Sequence, residues 1–384
     1  MDALRARLDG QDDDATGQDN LALAAAAATA GEGEQTGIMA VLKADAYGHG
    51  AVMCAQAVAR QVWGFAVSLV EEGVELRRAG LVEQPIVVLG CYYGLSHRDV
   101  VAYRLTPVVA DARDLVRFAR AAVDLGAPRV PVHLKIDTGM SRLGVRPERL
   151  REFVDALRQE PGVLLGGVCT HLADADGPES TVTEEQLRRF AAAYDELSTL
   201  GVRPAVTHVA NTAGALRFSR ARRDLVRPGI GMYGVAPPHT MMSGLWPVLS
   251  LKTRIVALRE VPAGTGISYG SRVRVGSRAR IATLPIGYAD GYTRRMSGHA
   301  QVLCGGRRCP VLGPITMDMC MVDVSSVPHV ELGDEVVLIG AQRGRDGQHD
   351  QPITLDEMAD WAGTIPYEIC CAISKRVPRV YVEP

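Results

Sequence analysis

From residue 37 to about residue 235 the chain keeps one rhythm: short apolar runs rich in β-branched residues alternate with stretches whose apolar positions recur at helical period. The runs are GIMAVLK, WGFAVS, PIVVLG, TPVVA, VPVHLKI, LLGGVCTH, AVTHVAN and DLVRPGIGMYG. Between them lie LVEEGVELRRAG, ARDLVRFARAAVDLG and TEEQLRRFAAAYDELSTLG, the last running from a Thr N-cap to a terminal Gly. Strands joined by such helices build a parallel sheet. Eight βα repeats within roughly 200 residues match the small end of the (β/α)8 range. The rival is a doubly wound open sheet, which carries fewer strands and a GxGxxG turn after the first. No such turn follows GIMAVLK. The expected fold class is therefore α/β, a (β/α)8 TIM barrel.

After residue 240 the rhythm changes. VLSLKTRIVALREV, SRVRVG, RARIATLPIGYAD, HAQVLCGG and DEVVLIG are strand-like runs split by Gly, Pro and Asp turns, with one clear helix, TLDEMADWAG. This predicts a C-terminal mainly-β domain over 241–384, joined through PPHTMMSG to a barrel domain over 1–240. Before the first strand, MDALRAR and NLALAAAAATAGEG read as helical, with a mobile acidic loop between them.

The formal net charge of -2 and the lack of a basic stripe argue against a nucleic-acid partner. LALAAAAATA is too short to span a bilayer and follows an acidic segment where an export signal would be basic. No membrane association is expected, and the cytoplasm is the expected compartment. The eight cysteines form no CxxC pair and no Cys/His set with zinc spacing, so neither disulfides nor a metal is expected.

In a (β/α)8 barrel, chemistry collects at the C-terminal ends of the strands. There the first strand places Lys43 and the fifth Lys135, followed by Arg142 in its loop. The sixth ends in Thr170-His171, the seventh in Asn211-Thr212, and the eighth carries Arg227, Gly229 and Ile230. Any one of these could be a solvated strand end or a structural imidazole. Their convergence on one rim is what points to a site. A lysine in a dry pocket near two arginines has its pKa lowered and becomes a nucleophile able to form a Schiff base. Hydroxyl and N–H groups after strands seven and eight are the usual phosphate seat of such barrels. Together they suggest pyridoxal phosphate. A phosphorylated-sugar aldolase would share both features.

AVLKADAYGHG, HLKIDTGMSRLG, THLADAD, HVANTAGALR, LVRPGIGMYG, ISYG, LPIGYADGYTR, ITMDM and IPYEICCAISKRVPRVY closely resemble the alanine racemases, in order and spacing, from residue 37 onward. The blocks LKADAYGHG and RPGIGMYG are the most specific. The resemblance implies racemisation of L-alanine and D-alanine on pyridoxal 5'-phosphate, D-alanine supply for peptidoglycan, and a homodimer with shared active sites. It implies that Lys43 carries the cofactor and is one catalytic base, and that Tyr269 from the partner subunit is the other. Two bases on opposite faces of a planar carbanion satisfy racemisation. Tyrosine, with an ordinary pKa near 10, then needs nearby cations, and the resemblance places a chain of arginine and histidine there, Arg227 and His171. Arg227 would face the cofactor ring nitrogen, where an arginine keeps its proton and leaves the ring a weaker electron sink.

The resemblance further assigns cofactor binding to Tyr47, His171, Asn211, Thr212, Arg227, Gly229, Ile230 and Tyr367, and substrate binding to Arg142 and Met317. Lys135 matches a lysine that is carbamylated in many members and orients the arginine. Asp318 lies beside Met317, and Tyr288, Arg294, Asp176 and Ile365 match the entry passage. This sequence departs from the pattern at Thr212, usually serine, at Thr316, often cysteine, and at Pro314, often arginine. It also lacks the familiar opening strand. Pro314 removes a partner expected for Asp176 and keeps a serine or broad-specificity racemase open as an alternative. A non-catalytic pyridoxal-phosphate-binding protein is the rival from another class, though such proteins are a barrel alone. A related barrel decarboxylase would lack the ISYG tyrosine.

Overall fold

The computed structural model describes Met1 and residues 36–382 apart from 91, 94–95, 241–243, 345–346 and 348. The helices expected in the first 35 residues, and the acidic loop between them, lie outside the described residues. The chain forms two compact units, one of Met1–Ala46 with Gly50–Leu245, the other of Tyr47–His49 with Trp246–Pro384.

The first unit is a closed parallel barrel of β1 (Gly37–Val41), β2 (Gly64–Val67), β3 (Ile86–Val88), β4 (Thr106–Val109), β5 (Val130–Lys135), β6 (Val163–Cys169), β7 (Val206–His208) and β8 (Leu225–Val226), in that order, with β1 paired to both β2 and β8. Most strand residues are buried, as in β2 and β4, where all four are. Among the described residues, seven helices connect or flank the strands: α1 (Ala51–Val58), α2 (Val70–Arg78), α3 (Ser96–Ala102), α4 (Ala112–Asp124), α5 (Leu150–Gln159), α6 (Thr181–Thr199) and α7 (Thr212–Arg217). The fold class is the one expected.

Details differ for physical reasons. Helix α6 starts two residues before the Thr183 expected to cap it, and Thr183 lies buried inside the helix. Its far end does turn at Gly201, which takes the left-handed φ of 75° that favours glycine. The eighth run pairs only at Leu225–Val226, because Pro228 offers no N–H and the chain then coils into a 3₁₀ turn over Ile230–Tyr233.

The second unit is an antiparallel sheet in the order β10-β13-β16-β15-β14-β17-β9, formed by β9 (Leu251–Arg254), β10 (Ala257–Val261), β13 (Ala279–Leu284), β14 (Gln301–Cys304), β15 (Arg307–Leu312), β16 (Cys320–Asp323) and β17 (Glu335–Ile339). A small ribbon of β11 (Gly266–Ile267) and β12 (Val273–Arg274) packs Ile267 and Val275 against Ala279 and Ile281. The run VLSLKTRIVALREV is two strands, interrupted at Ile255–Val256. Beside the expected helix, here α8 (Leu355–Ala362), stands a second, α9 (Pro366–Ala372), which the sequence reading did not anticipate. Its apolar PYEICCA stretch is too short to show a period, and only Pro366 at its first turn marks a helix start.

Candidate active site

Leu42 continues β1 into the barrel mouth, and Lys43 follows it half-buried. The next four residues, Ala44, Asp45, Ala46 and Tyr47, all have φ between 53° and 55°, a turn of left-handed helix in a chain of L-residues. Such backbone costs roughly 1–2 kcal/mol per residue. Three contacts offset it. Ala44 N–H donates to Glu72 Oε1 at 2.6 Å, Asp45 Oδ1 accepts from Ala51 N–H at 2.8 Å, and Gly50 N–H donates to Asp45 O at 2.9 Å. The second oxygen of Glu72 accepts from Ser68 and Leu69 N–H, so one carboxylate of α2 ties the loops after β1 and β2 together. This turn sets where Lys43 sits.

The other strand ends build a cationic, water-poor mouth. Arg227 is buried, and its guanidinium donates to five acceptors: His208 Nδ1 at 2.9 Å, His208 O at 2.7 Å, Thr170 O at 2.9 Å, Val209 O at 3.0 Å and His171 Nδ1 at 3.2 Å. Its partners are two imidazoles and three carbonyls, none of them an acid. Burial holds the His171 pKa well below its ordinary value, and the charges of Arg227, Lys135, Arg142 and Lys43 push the same way. Burial also lowers the pKa of Lys135, with Arg142 and Arg227 adding to it. Lys135 is buried at the end of β5, while Arg142 in the following loop is exposed.

Thr212 begins α7, and its hydroxyl accepts from Gly229 N–H at 2.9 Å. The side chain of Asn211 caps the same helix by accepting from Gly214 N–H at 2.8 Å. A Cβ on Gly231 would stand 2.5 Å from Thr212 Cγ2, so the loops after β7 and β8 meet more closely than a side chain would permit. The first N–H groups of the turn at Ile230 have no partner within the turn itself. Asp176 is half-buried in the loop after β6.

The remaining candidates belong to the second unit. The Tyr47 and Tyr367 rings lie 6.0 Å apart, and burial, then Tyr367, raises the Tyr47 phenol pKa. Gly48 passes so close to α9 that a Cβ would strike the Cys370 carbonyl, and Arg379 Nη2 donates to Gly48 O at 3.0 Å. Tyr269 follows Ser268, which has φ 60°, and is 69% exposed. The Ser268 hydroxyl donates to Pro314 O at 2.8 Å, so the residue that departs from the family pattern holds the tyrosine's own loop. Tyr288, Met317, Ile365 and Arg294 are exposed. Tyr288 and Ala289 N–H donate to Thr316 O and Met317 O, both at 3.0 Å. Asp318 is held by Arg376 Nη2 at 2.8 Å, and the same guanidinium reaches Asp290 at 3.3 Å through Nε.

Residues 16–237 match the family model for the alanine racemase N-terminal domain and residues 248–381 that for the C-terminal domain. The chain belongs to the alanine racemase family. It is 42% identical over 351 residues to an alanine racemase of Sorangium cellulosum, covering 90% of this chain and 92% of that one. It is 45% identical over 348 residues to that of Symbiobacterium thermophilum, covering 90% of each. Among solved structures it is similar to the Bacillus anthracis alanine racemase with bound L-Ala-P, with a TM-score of 0.82 and 36% identity over 91% of this chain and 89% of that one. It is also similar to the Streptomyces coelicolor alanine racemase, with a TM-score of 0.84 and 34% identity over 100% of this chain and 96% of that one.

Within this family frame, the geometry adds residues that the strand-end reading passed over. Glu72 was hidden because it sits on a helix beside another glutamate, where an acid in the first turn needs no further reason. His208 and His133 were hidden inside strands, where only the register tells which side chains point into the barrel. The signal for His208 was its place three residues before Asn211 in HVAN.

Proposed function

We propose that this chain racemises alanine with pyridoxal 5'-phosphate as its cofactor. The observation that carries the reading is the buried Arg227 guanidinium, hydrogen-bonded to His208 and His171 at the mouth that also bears Lys43. A buried cation whose partners are all neutral favours an electron-rich ligand group beside it. The Thr212 hydroxyl, the Gly229 and Ile230 backbone and the phenols of Tyr47 and Tyr367 have the chemistry of a phosphate seat. Asn211, through its cap of α7, would hold Thr212 in place. The residues present fit the cofactor.

When bound, pyridoxal phosphate withdraws electrons from the substrate α-carbon. Lys43 Nζ takes or returns the proton on one face of that carbon, and Tyr269 Oη from a second copy of the chain serves the other face. Arg227 keeps its own proton, so toward the ring nitrogen of the cofactor it would donate a hydrogen bond without protonating it. His171, neutral with Nδ1 accepting from Arg227, keeps its Nε2–H to donate toward the tyrosine. Arg142 and the Met317 backbone hold the substrate carboxylate, and Lys135 orients Arg142. Asp318, Tyr288, Asp176, Arg294 and Ile365 shape the entry. We assign the barrel domain to 1–240 and the mainly-β domain to 241–384, place the enzyme in the cytoplasm as a homodimer, and assign it D-alanine supply for peptidoglycan. Among the described residues, no helix is long and apolar enough to cross a membrane.

A second reading, a serine or broad-specificity racemase, is kept open by Pro314, which stands where many family members have arginine and so offers Asp176 no cationic partner. The test for both is proton NMR of L-alanine, and separately L-serine, in heavy water with the cofactor-loaded protein, with the D-isomer assayed at the end. Loss of the α-proton signal with D-alanine formed is the expected result. An unchanged alanine signal would remove alanine as substrate.

A further inference from the structure

Two imidazoles stand where a barrel of this kind is normally filled by branched apolar side chains. His133 on β5 and His208 on β7 are both buried, and His133 Nδ1 lies 2.8 Å from His208 Nε2. His208 Nδ1 in turn lies 2.9 Å from Arg227 Nη1. The chain makes room for this arrangement in two ways. In the β5–β6 register Val132 pairs with Leu165 but His133 with Gly167, so Gly166 is the extra residue of a bulge in β6 opposite the imidazole. His133 is then paired with Gly167, where a Cβ would come within 2.7 Å of the imidazole Cδ2. A packing residue alone needs neither.

We infer that His133 is a positioning residue, the fixed end of a one-way hydrogen-bonded run that holds Arg227. The direction follows from donor chemistry. A guanidinium only donates, so His208 Nδ1 accepts and carries no proton. The proton of neutral His208 is then on Nε2 and is donated to His133 Nδ1. His133 accepts there, which leaves its own proton on Nε2. Each ring is the Nε2–H tautomer, and neither can rotate without setting two donors or two lone pairs against each other. Burial keeps both neutral, lowering the His133 pKa to about 4 and that of His208 well below its ordinary value. Without the acceptor on His133, the His208 Nε2–H is stranded inside the barrel. Its ring is then free to flip, and Arg227 Nη1 loses one of its two acceptors, keeping only the His208 carbonyl.

This inference rests on the proposed racemase reading only where it touches turnover. The experiment therefore has two parts. Nitrogen-15 NMR of the histidine-labelled full chain, with and without pyridoxal phosphate, reads the protonation of each ring among the nine histidines. His133→Asn and His208→Asn variants assign the signals. The expected spectrum has Nδ1 unprotonated and Nε2 protonated in both rings. Turnover of the cofactor-loaded His133→Leu and His133→Asn variants is then measured. Asn places an acceptor oxygen near the Nδ1 position, so it is expected to retain kcat. Leu is expected to lower kcat on the order of tenfold, with KM for alanine little changed, because Arg227 does not bind the substrate carboxylate. A proton on Nδ1 of either ring would overturn the inference, as would a folded His133→Leu enzyme with undiminished kcat. If His133→Leu does not fold, the tautomers of the unaltered protein and the kcat of His133→Asn decide. If the unaltered protein fails to racemise alanine, the proposed function falls, and the tautomers still test the run itself.

Discussion

Arg227 Nη2 and His171 Nδ1 stand 3.2 Å apart, and only one of them can be the donor. The guanidinium has no lone pair to offer, so His171 accepts and keeps its proton on Nε2. One buried cation thus orients an imidazole on each side of it, His171 toward the rim and His208 toward the barrel interior.

Removing Arg227 would strand that whole set. Arg227→Met leaves five acceptors, three of them backbone carbonyls, without their donor in a buried site. A buried polar group left unpaired costs about 1–3 kcal/mol. Carbonyls retain other partners and water can enter, so the total loss of unfolding free energy is expected at about 3–5 kcal/mol. Urea unfolding measures it, and a loss below about 1 kcal/mol would mean that the guanidinium does not organise these groups.

Acid should destabilise the barrel earlier than carboxylate titration would. His133, His171 and His208 all have folded-state pKa values below the ordinary 6.5. Between the folded and unfolded values the unfolded chain binds more protons, so stability is full above pH 6.5 and falls as the pH drops toward the folded values. For His133, with its value near 4, the loss across that window is on the order of 3 kcal/mol. The urea midpoint should therefore fall between about pH 7 and pH 5, before most carboxylates titrate, and fall less in His133→Asn. A flat midpoint over that range would contradict the buried neutral imidazoles.

The barrel was legible because strands buried on both faces write themselves as continuous apolar runs, and GIMAV and GFAV could hardly be anything else. The placing of polar residues at the strand ends was legible for the same reason: Lys43, His171 and Arg227 stand out where they interrupt or end apolar runs. What the runs could not convey was register. What stands opposite His133 depends on a bulge at Gly166 of β6, and a bulge leaves no mark in a single sequence. Nor could the left-handed turn at Ala44–Tyr47 be read, since alanine and aspartate favour right-handed helix there and only surrounding contacts override that preference. The resemblance assigned roles to Tyr269 and Met317, whereas local pattern alone left them as exposed side chains on loops.

That turn should respond in opposite directions to two substitutions. Ala44 is exposed, so Ala44→Gly loses little packing and relieves one left-handed residue. Set against the entropy glycine gives up on folding, the net is a gain of about 0.5–1 kcal/mol. Glu72→Ala removes the carboxylate that accepts from Ala44, Ser68 and Leu69, and should cost about 1–2 kcal/mol. Thermal unfolding of the two variants checks both signs. If Ala44→Gly destabilises, the turn is not strained as described.

The last expectation concerns how many chains make one site. Tyr269 is 69% exposed in this single chain, on a loop clasped by Pro314, which suits a side chain destined for a second copy. A Lys43→Ala chain and a Tyr269→Phe chain should each be nearly inactive alone. Co-expressed and paired at random, half the dimers are mixed, and each mixed dimer holds one site with both bases and one with neither. Activity should then return to about a quarter of the unaltered enzyme's, as two-fold symmetry requires. If both bases came from one chain, every site in the mixed dimer would lack one of them. Mixed dimers shown to form but remaining inactive would therefore place Lys43 and Tyr269 on the same subunit's site, and the partner's contribution would have to be abandoned.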